Sequence, residues 1–173
     1  MSRDADGSMD REILLTARGV SKSFGAVRVL HEVSFDVHRG EVLGILGPNG
    51  AGKTTLFNMI SGDLKASGGE IQLGDTALRG EPPFRRCQMG IGRTYQIPRP
   101  YSGMTTFENV FVAASHGAGL GRDEAYEEAL GSLRLCGMLG VANRHAETLG
   151  LLDRKRLELA RALAARPTLL LLD

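Results

Sequence analysis

An α/β fold is what this sequence predicts, on three observations. Strand-like stretches between Ile13 and Val37 lead into an apolar run, Val42-Leu43-Gly44-Ile45-Leu46, with the composition of a buried parallel strand. That run opens onto Gly47-Pro48-Asn49-Gly50-Ala51-Gly52-Lys53-Thr54, which fits the pattern G-x-x-x-x-G-K-[ST] at every fixed position. Beyond Pro100 the pattern turns helical, until a second apolar run at residues 168–172 ends in Asp173. Together these describe a phosphate-loop (P-loop) NTPase core with an N-terminal antiparallel β subdomain and a helical insert.

The elements follow in order. Residues 1–12 are polar and are expected to form a flexible tail. Residues 13–20 begin the folded part as a strand, and 21–25 form a turn-like stretch carrying Phe24. Residues 27–30 and 33–37 alternate like two short strands, and Arg39-Gly40 turns the chain into the apolar run. A helix is predicted over residues 53–61, with Leu56, Met59 and Ile60 on one face and Gly62 as its C-terminal cap. Ser67-Gly68-Gly69 is a turn, 70–73 a short strand, 84–89 a short helix and 90–94 a strand running to Tyr95-Gln96. Thr105-Thr106-Phe107-Glu108 is a capping box for a helix whose inner face is Phe107, Val110, Phe111 and Ala114. Asp123 is the expected cap of a helix facing inward with Tyr126, Ala129, Leu130 and Leu133. Asp153 is the expected cap of a last helix, over 154–165, with Leu157, Ala160 and Ala164 inward and Pro167 as its stop.

The loop's spacing has a chemical reason. Glycines let the backbone curl so that successive N–H groups point into one cradle with no side chain in the way. The helix that follows adds its positive end, Lys53 a point charge, and Thr54 a hydroxyl for a magnesium ion.

Composition narrows the class. The chain has 173 residues, 42% hydrophobic and 24% charged, with a net charge of +1. No field of one sign argues for nucleic acid or an anionic membrane. Its 23 glycines are about twice the usual ~7% share. Cys87 and Cys136 form no C-x-x-C pair, which fits a reduced setting. No apolar stretch approaches the ~20 residues of a membrane span. A zincin H-E-x-x-H and a hydrolase G-x-S-x-G are both missing. Gly117-Ala118-Gly119-Leu120-Gly121 departs from the dinucleotide fingerprint because Arg122 takes the last glycine's place.

The wording GPNGAGKTT, the segment Gly92-Arg93-Thr94-Tyr95-Gln96 followed by Met104-Thr105-Thr106-Phe107-Glu108-Asn109-Val110, and Arg156-Leu157-Glu158-Leu159-Ala160-Arg161 resemble the ATP-binding cassette (ABC) ATPases. The middle segments are similar to the subgroup that powers uptake of branched-chain and other hydrophobic amino acids. The resemblance spans residues 13–173 as a single ATP-binding domain, with a helical subdomain at about 97–153, and it implies ATP and Mg²⁺ as cofactors. It implies that Phe24 stacks on adenine and that Gly47, Pro48, Asn49, Gly50, Ala51, Gly52, Lys53, Thr54 and Thr55 cradle the phosphates. Lys53, Gln96 and Asp173 are then the catalytic set, and Thr54, Gln96 and Asp173 hold the metal. The implied partners are transmembrane permease subunits, a second ATPase subunit paired head to tail (identical or related), and indirectly a solute-binding protein. Residues 101–110 fall where the family meets its permease. Nucleic acid is not an expected partner. The implied location is peripheral, on the cytoplasmic face of the cell membrane.

Two departures stand against the family pattern. Where the family has a Leu-Ser-Gly-Gly-Gln type signature, this chain has Leu149-Gly150-Leu151-Leu152-Asp153. Gly150 replaces the serine, so one hydrogen bond to phosphate, worth roughly 1.5–3 kcal/mol, is lost, while the backbone N–H groups there remain. The chain also stops at Asp173, before the family's catalytic glutamate, and its histidines (His31, His38, His116, His145) all lie upstream. The expectation is a C-terminally incomplete cassette, weak or inactive in hydrolysis by itself. The rival readings are a non-hydrolysing nucleotide-binding module and an ABC ATPase outside transport.

Overall fold

The computed structural model describes residues 12–173. The expected tail lies outside them except for Glu12, which is ion-paired with Arg39 at 2.9 Å. The described residues form two compact units.

The first unit runs to Ile60 and resumes over Leu64–Gly80. It holds β1 (Ile13–Phe24), β2 (Val27–His38), most of α1 (Lys53–Ser61), β3 (Gly68–Leu73) and β4 (Thr76–Ala77). The strands make one antiparallel sheet in the order β2-β1-β3-β4. Leu15, Ala17 and Val20 of β1 are buried, as are Leu56, Met59 and Ile60, the predicted inner face of α1. Gly62 takes φ +88°, the left-handed conformation its capping role requires.

Three expectations change here. The turn-like stretch at 21–25 is strand as far as Phe24. The two short strands at 27–37 are one, because Glu32 absorbs the irregularity at φ 47° and donates its N–H to the buried hydroxyl of Ser21 at 3.0 Å. The glycine turn at 67–69 is already β3 from Gly68 onward. Gly69 (φ +80°) packs so closely on β1 that a Cβ there would lie 2.3 Å from the Gly19 carbonyl oxygen.

The apolar run at residues 42–46 is a larger correction. It is not a strand, and Val42 and Leu46 are 98% and 95% exposed. A strand exists through the ladder it makes with a neighbour. Among the described residues no strand pairs with this run, which leaves Val42, Leu43 and Leu46 exposed and Ile45 half-buried.

The second unit comprises Ser61–Asp63 and Glu81–Asp173. Here α2 (Pro83–Gln88) leads to β5 (Ile91–Arg93), which pairs in parallel with β6 (Leu169–Leu171). Between them lie α3 (Thr106–Val112), a π-helical turn over Ala113–Gly117, α4 (Arg122–Leu135) and α5 (Leu151–Ala164). Val110, Ala114, Ala129, Leu133, Leu157, Ala160 and Ala164 belong to one buried cluster. Its alanines let the helix backbones approach closely. The capping box of α3 is present in full: Thr105 accepts from the Glu108 N–H, and Glu108 accepts from the Thr105 N–H.

Asp123 and Asp153 are not caps. The helices start earlier, from Gly121 and Gly150, each extended and without a side-chain bond to the helix. The aspartates sit in the first turns, where their charge still suits the positive helix end. In α4 the buried face is Ala125, Ala129, Ser132 and Leu133. Tyr126 is half exposed, its ring 5.0 Å from that of Phe107.

Candidate nucleotide site

The phosphate loop belongs to the first unit. Gly50 and Gly52 have φ of +83° and +88°, values that side-chain-bearing residues adopt only under strain. Gly52 is also crowded, since a Cβ there would lie 2.8 Å from Leu30 Cδ2 and 3.2 Å from Val29 Cγ1 of β2. The loop closes through the Ala51 N–H, which donates to the Pro48 carbonyl at 3.2 Å. Lys53 folds back over it, its Nζ donating to the carbonyls of Gly47 (2.6 Å) and Pro48 (2.8 Å). The ammonium thus sits at the mouth of the curl, resting on weak neutral acceptors. Lys53, Thr54 and Thr55 open α1, whose own first turn carries no acidic residue to offset the positive helix end. A half-buried lysine, two hydroxyls and a helix start with no acid in its own first turn form a donor set that fits a polyphosphate anion. Phe24, 49% exposed at the end of β1, lies in the same unit, with Lys22 Nζ 5.0 Å from its ring centroid.

The other predicted residues lie in the second unit. Gln96 is exposed in the bend after β5. Gly150 is the N-cap of α5, with nothing within 4 Å of where a Cβ would be. Asp173 follows β6, and its side chain is 11% exposed. The carboxylate of Asp173 suits a hard cation that takes oxygen ligands.

Sequence reasoning gave no role to the group around Asp173. Arg93, only 5% exposed, donates from Nη2 to Asp173 Oδ2 at 3.2 Å. Its Nη1 donates to Asp63 Oδ2 at 3.0 Å and to Ser61 Oγ at 2.8 Å. Tyr95 covers the guanidinium at 4.6 Å, and its hydroxyl donates to Asp63 at 3.3 Å. Burial, chiefly, and then the negative charge of Asp63 push the Tyr95 phenol up. A second buried pair, Glu158 and Arg161 of α5, holds the chain after Gln96: Glu158 accepts from the Arg99 N–H at 2.7 Å, and Arg161 donates to the Arg99 carbonyl at 2.7 Å. Arg93, Tyr95, Tyr101, Glu158 and Arg161 line a cavity of about 540 Å³. Arg93 lay inside a quoted motif, but nothing in the motif says what the side chain touches.

The sequence profile of the ABC transporter family matches residues 30–173. The chain belongs to that family. It is 36% identical over 174 aligned residues to the high-affinity branched-chain amino acid transport ATP-binding protein LivG of Escherichia coli K12, covering 92% of this chain and 68% of LivG. It is 34% identical to the corresponding protein BraF of Pseudomonas aeruginosa, with the same coverage. Among solved structures, it is similar to an ATP-binding cassette of an ABC transporter at a TM-score of 0.79 and 30% identity, covering 91% of this chain and 67% of that one. A dimeric ATP-binding cassette bound to ADP and Pi is similar at 0.82 and 25% identity, covering 92% and 73%. Among the described residues no helix is long and apolar enough to cross a membrane.

Proposed function

We propose that this chain is the ATP-binding part of an importer subunit, coupling ATP binding and hydrolysis to uptake of branched-chain or other hydrophobic amino acids. The observation that carries the reading is the phosphate loop, with Lys53 folded over its carbonyls at 2.6 and 2.8 Å. A polyphosphate would draw that ammonium off two neutral acceptors onto a charged one, a stronger hydrogen bond. Similarity to LivG and BraF supports the class of solute.

In this reading Gly47 to Thr55 bind the phosphates, Phe24 stacks on the base, and Gln96 orients the attacking water. Thr54, Gln96 and Asp173 would hold Mg²⁺, which supplies charge neutralisation at the phosphates. Gly150, at the start of α5, offers backbone N–H groups to the nucleotide of a second subunit paired head to tail. Residues 101–110 meet the permease, which places the subunit on the cytoplasmic face of the membrane.

The test is nucleotide binding by the full chain. ATP binds, and Lys53→Ala weakens it by about tenfold or more, the equivalent of ~1.4 kcal/mol. Equal affinity in Lys53→Ala would sink the reading. A second reading, tight binding without turnover, is favoured by Gly150, whose position has no hydroxyl to offer a phosphate. ATP bound tightly and never hydrolysed by the chain assembled with its permease would establish it.

A further inference from the structure

We propose that Arg93 is a positioning residue: it fixes the carboxylate of Asp173 for its metal by tying it to Asp63 and to Ser61, the last residue of α1. The inference rests on the reading of Asp173 as a metal-holding residue.

The strands put Arg93 in place. Arg93 ends β5 opposite Leu171, and Asp173 lies two residues beyond Leu171. Both therefore emerge at the carboxyl end of the parallel pair, the end at which α/β sheets bind their ligands. One main-chain bond and one bond to a side-chain hydroxyl hold this end together. The Thr94 N–H donates to the Leu171 carbonyl at 3.0 Å, and the Asp173 N–H to Thr94 Oγ1 at 3.4 Å.

The guanidinium is then fixed from several sides. One nitrogen takes Ser61 and Asp63, and the other takes Asp173. The Ser61 hydroxyl donates a hydrogen bond to Asp63 Oδ2 at 2.7 Å, which orients the oxygen that accepts from Arg93. Tyr95 closes the face. The Nε of Arg93 is buried with no hydrogen-bond partner. A buried N–H left unmet costs free energy, so an orientation that tolerates it is one imposed by the two carboxylates.

Asp63 also feels the charge of the buried Arg86 guanidinium, while Arg93 is hydrogen-bonded to Asp63 and Asp173 together. Lysine could not replace Arg93, since a single ammonium lacks the two-nitrogen fork that spans Asp63 and Asp173.

The experiment is the ratio of two dissociation constants for ATP on the full chain, in EDTA and in saturating Mg²⁺. In the wild type the ratio exceeds one, and Asp173→Asn brings it toward one. Arg93→Lys and Asp63→Asn are expected to lower it by about fivefold while shifting the EDTA value less than twofold. Asp63→Asn is the second arm because it keeps the side chain's size and decides the matter if Arg93→Lys fails to fold. Either variant lowering the melting temperature with the ratio unchanged would mean that the group only stabilises the fold, and would overturn the proposal. A ratio unmoved by Asp173→Asn would overturn the reading of Asp173 itself, and this inference with it.

Discussion

Gly52 and Gly150 are both loop-end glycines, and they make opposite predictions. At Gly52 the backbone is left-handed and Leu30 and Val29 crowd the missing Cβ. Gly52→Ala is expected to cost about 1–3 kcal/mol, read as a lower midpoint in urea, and to weaken ATP binding by distorting the cradle. At Gly150 the space is open and φ is −67°. Gly150→Ser is expected to stabilise α5 by roughly 0.5 kcal/mol, because serine is the better N-cap and leaves a less flexible unfolded chain. Its thermal midpoint should rise slightly, and a fall would show that the position is closed to side chains. The phosphate loop was legible because its residues are contiguous and a fixed spacing carries their chemistry. The Arg93 group was not, because Arg93 lies 30 residues from Asp63 and 80 from Asp173. No local pattern records such a pairing.

At the level of elements, legibility followed the same division. The capping box of α3 could be read because it is a reciprocal pair three residues apart. Its Glu108 carboxyl is held below its ordinary 4.5, first by the Thr105 N–H and then by the Thr105 hydroxyl. A carboxyl lowered by folding stabilises fully above its unfolded value and loses that contribution as pH falls through the folded one. Glu108→Gln should therefore flatten the acid limb of stability below about pH 4.5 and leave the slope near neutrality unchanged, as followed by circular dichroism. The caps of α4 and α5 escaped reading because glycine at an N-cap leaves no side-chain signal, and the aspartates three or fewer residues on were the louder one. The inner face of α5 was read correctly, and Leu157 is 1% exposed within the buried cluster. Leu157→Ala should cost about 2–5 kcal/mol, seen as a lower denaturation midpoint.

On the scale of the molecule, the apolar run at 42–46 is where local composition misled. Its residues suit a buried strand, yet burial is a property of neighbours, and no described strand pairs with it. Twenty-one basic and twenty acidic residues leave little net charge to keep copies apart. The chain is expected to bind a hydrophobic dye and to associate with rising concentration. Val42→Lys with Leu46→Lys should reduce both in fluorescence and light scattering without lowering the thermal midpoint.

The contact of Gly69 with β1 carries a consequence for how this protein can vary. Its backbone angle strains any residue with a side chain, and its neighbour is a main-chain carbonyl that no rotamer change can move aside. A saturation library at codon 69, selected for folded protein, should return glycine alone. Codon 150, also a glycine in this sequence, should accept many substitutes.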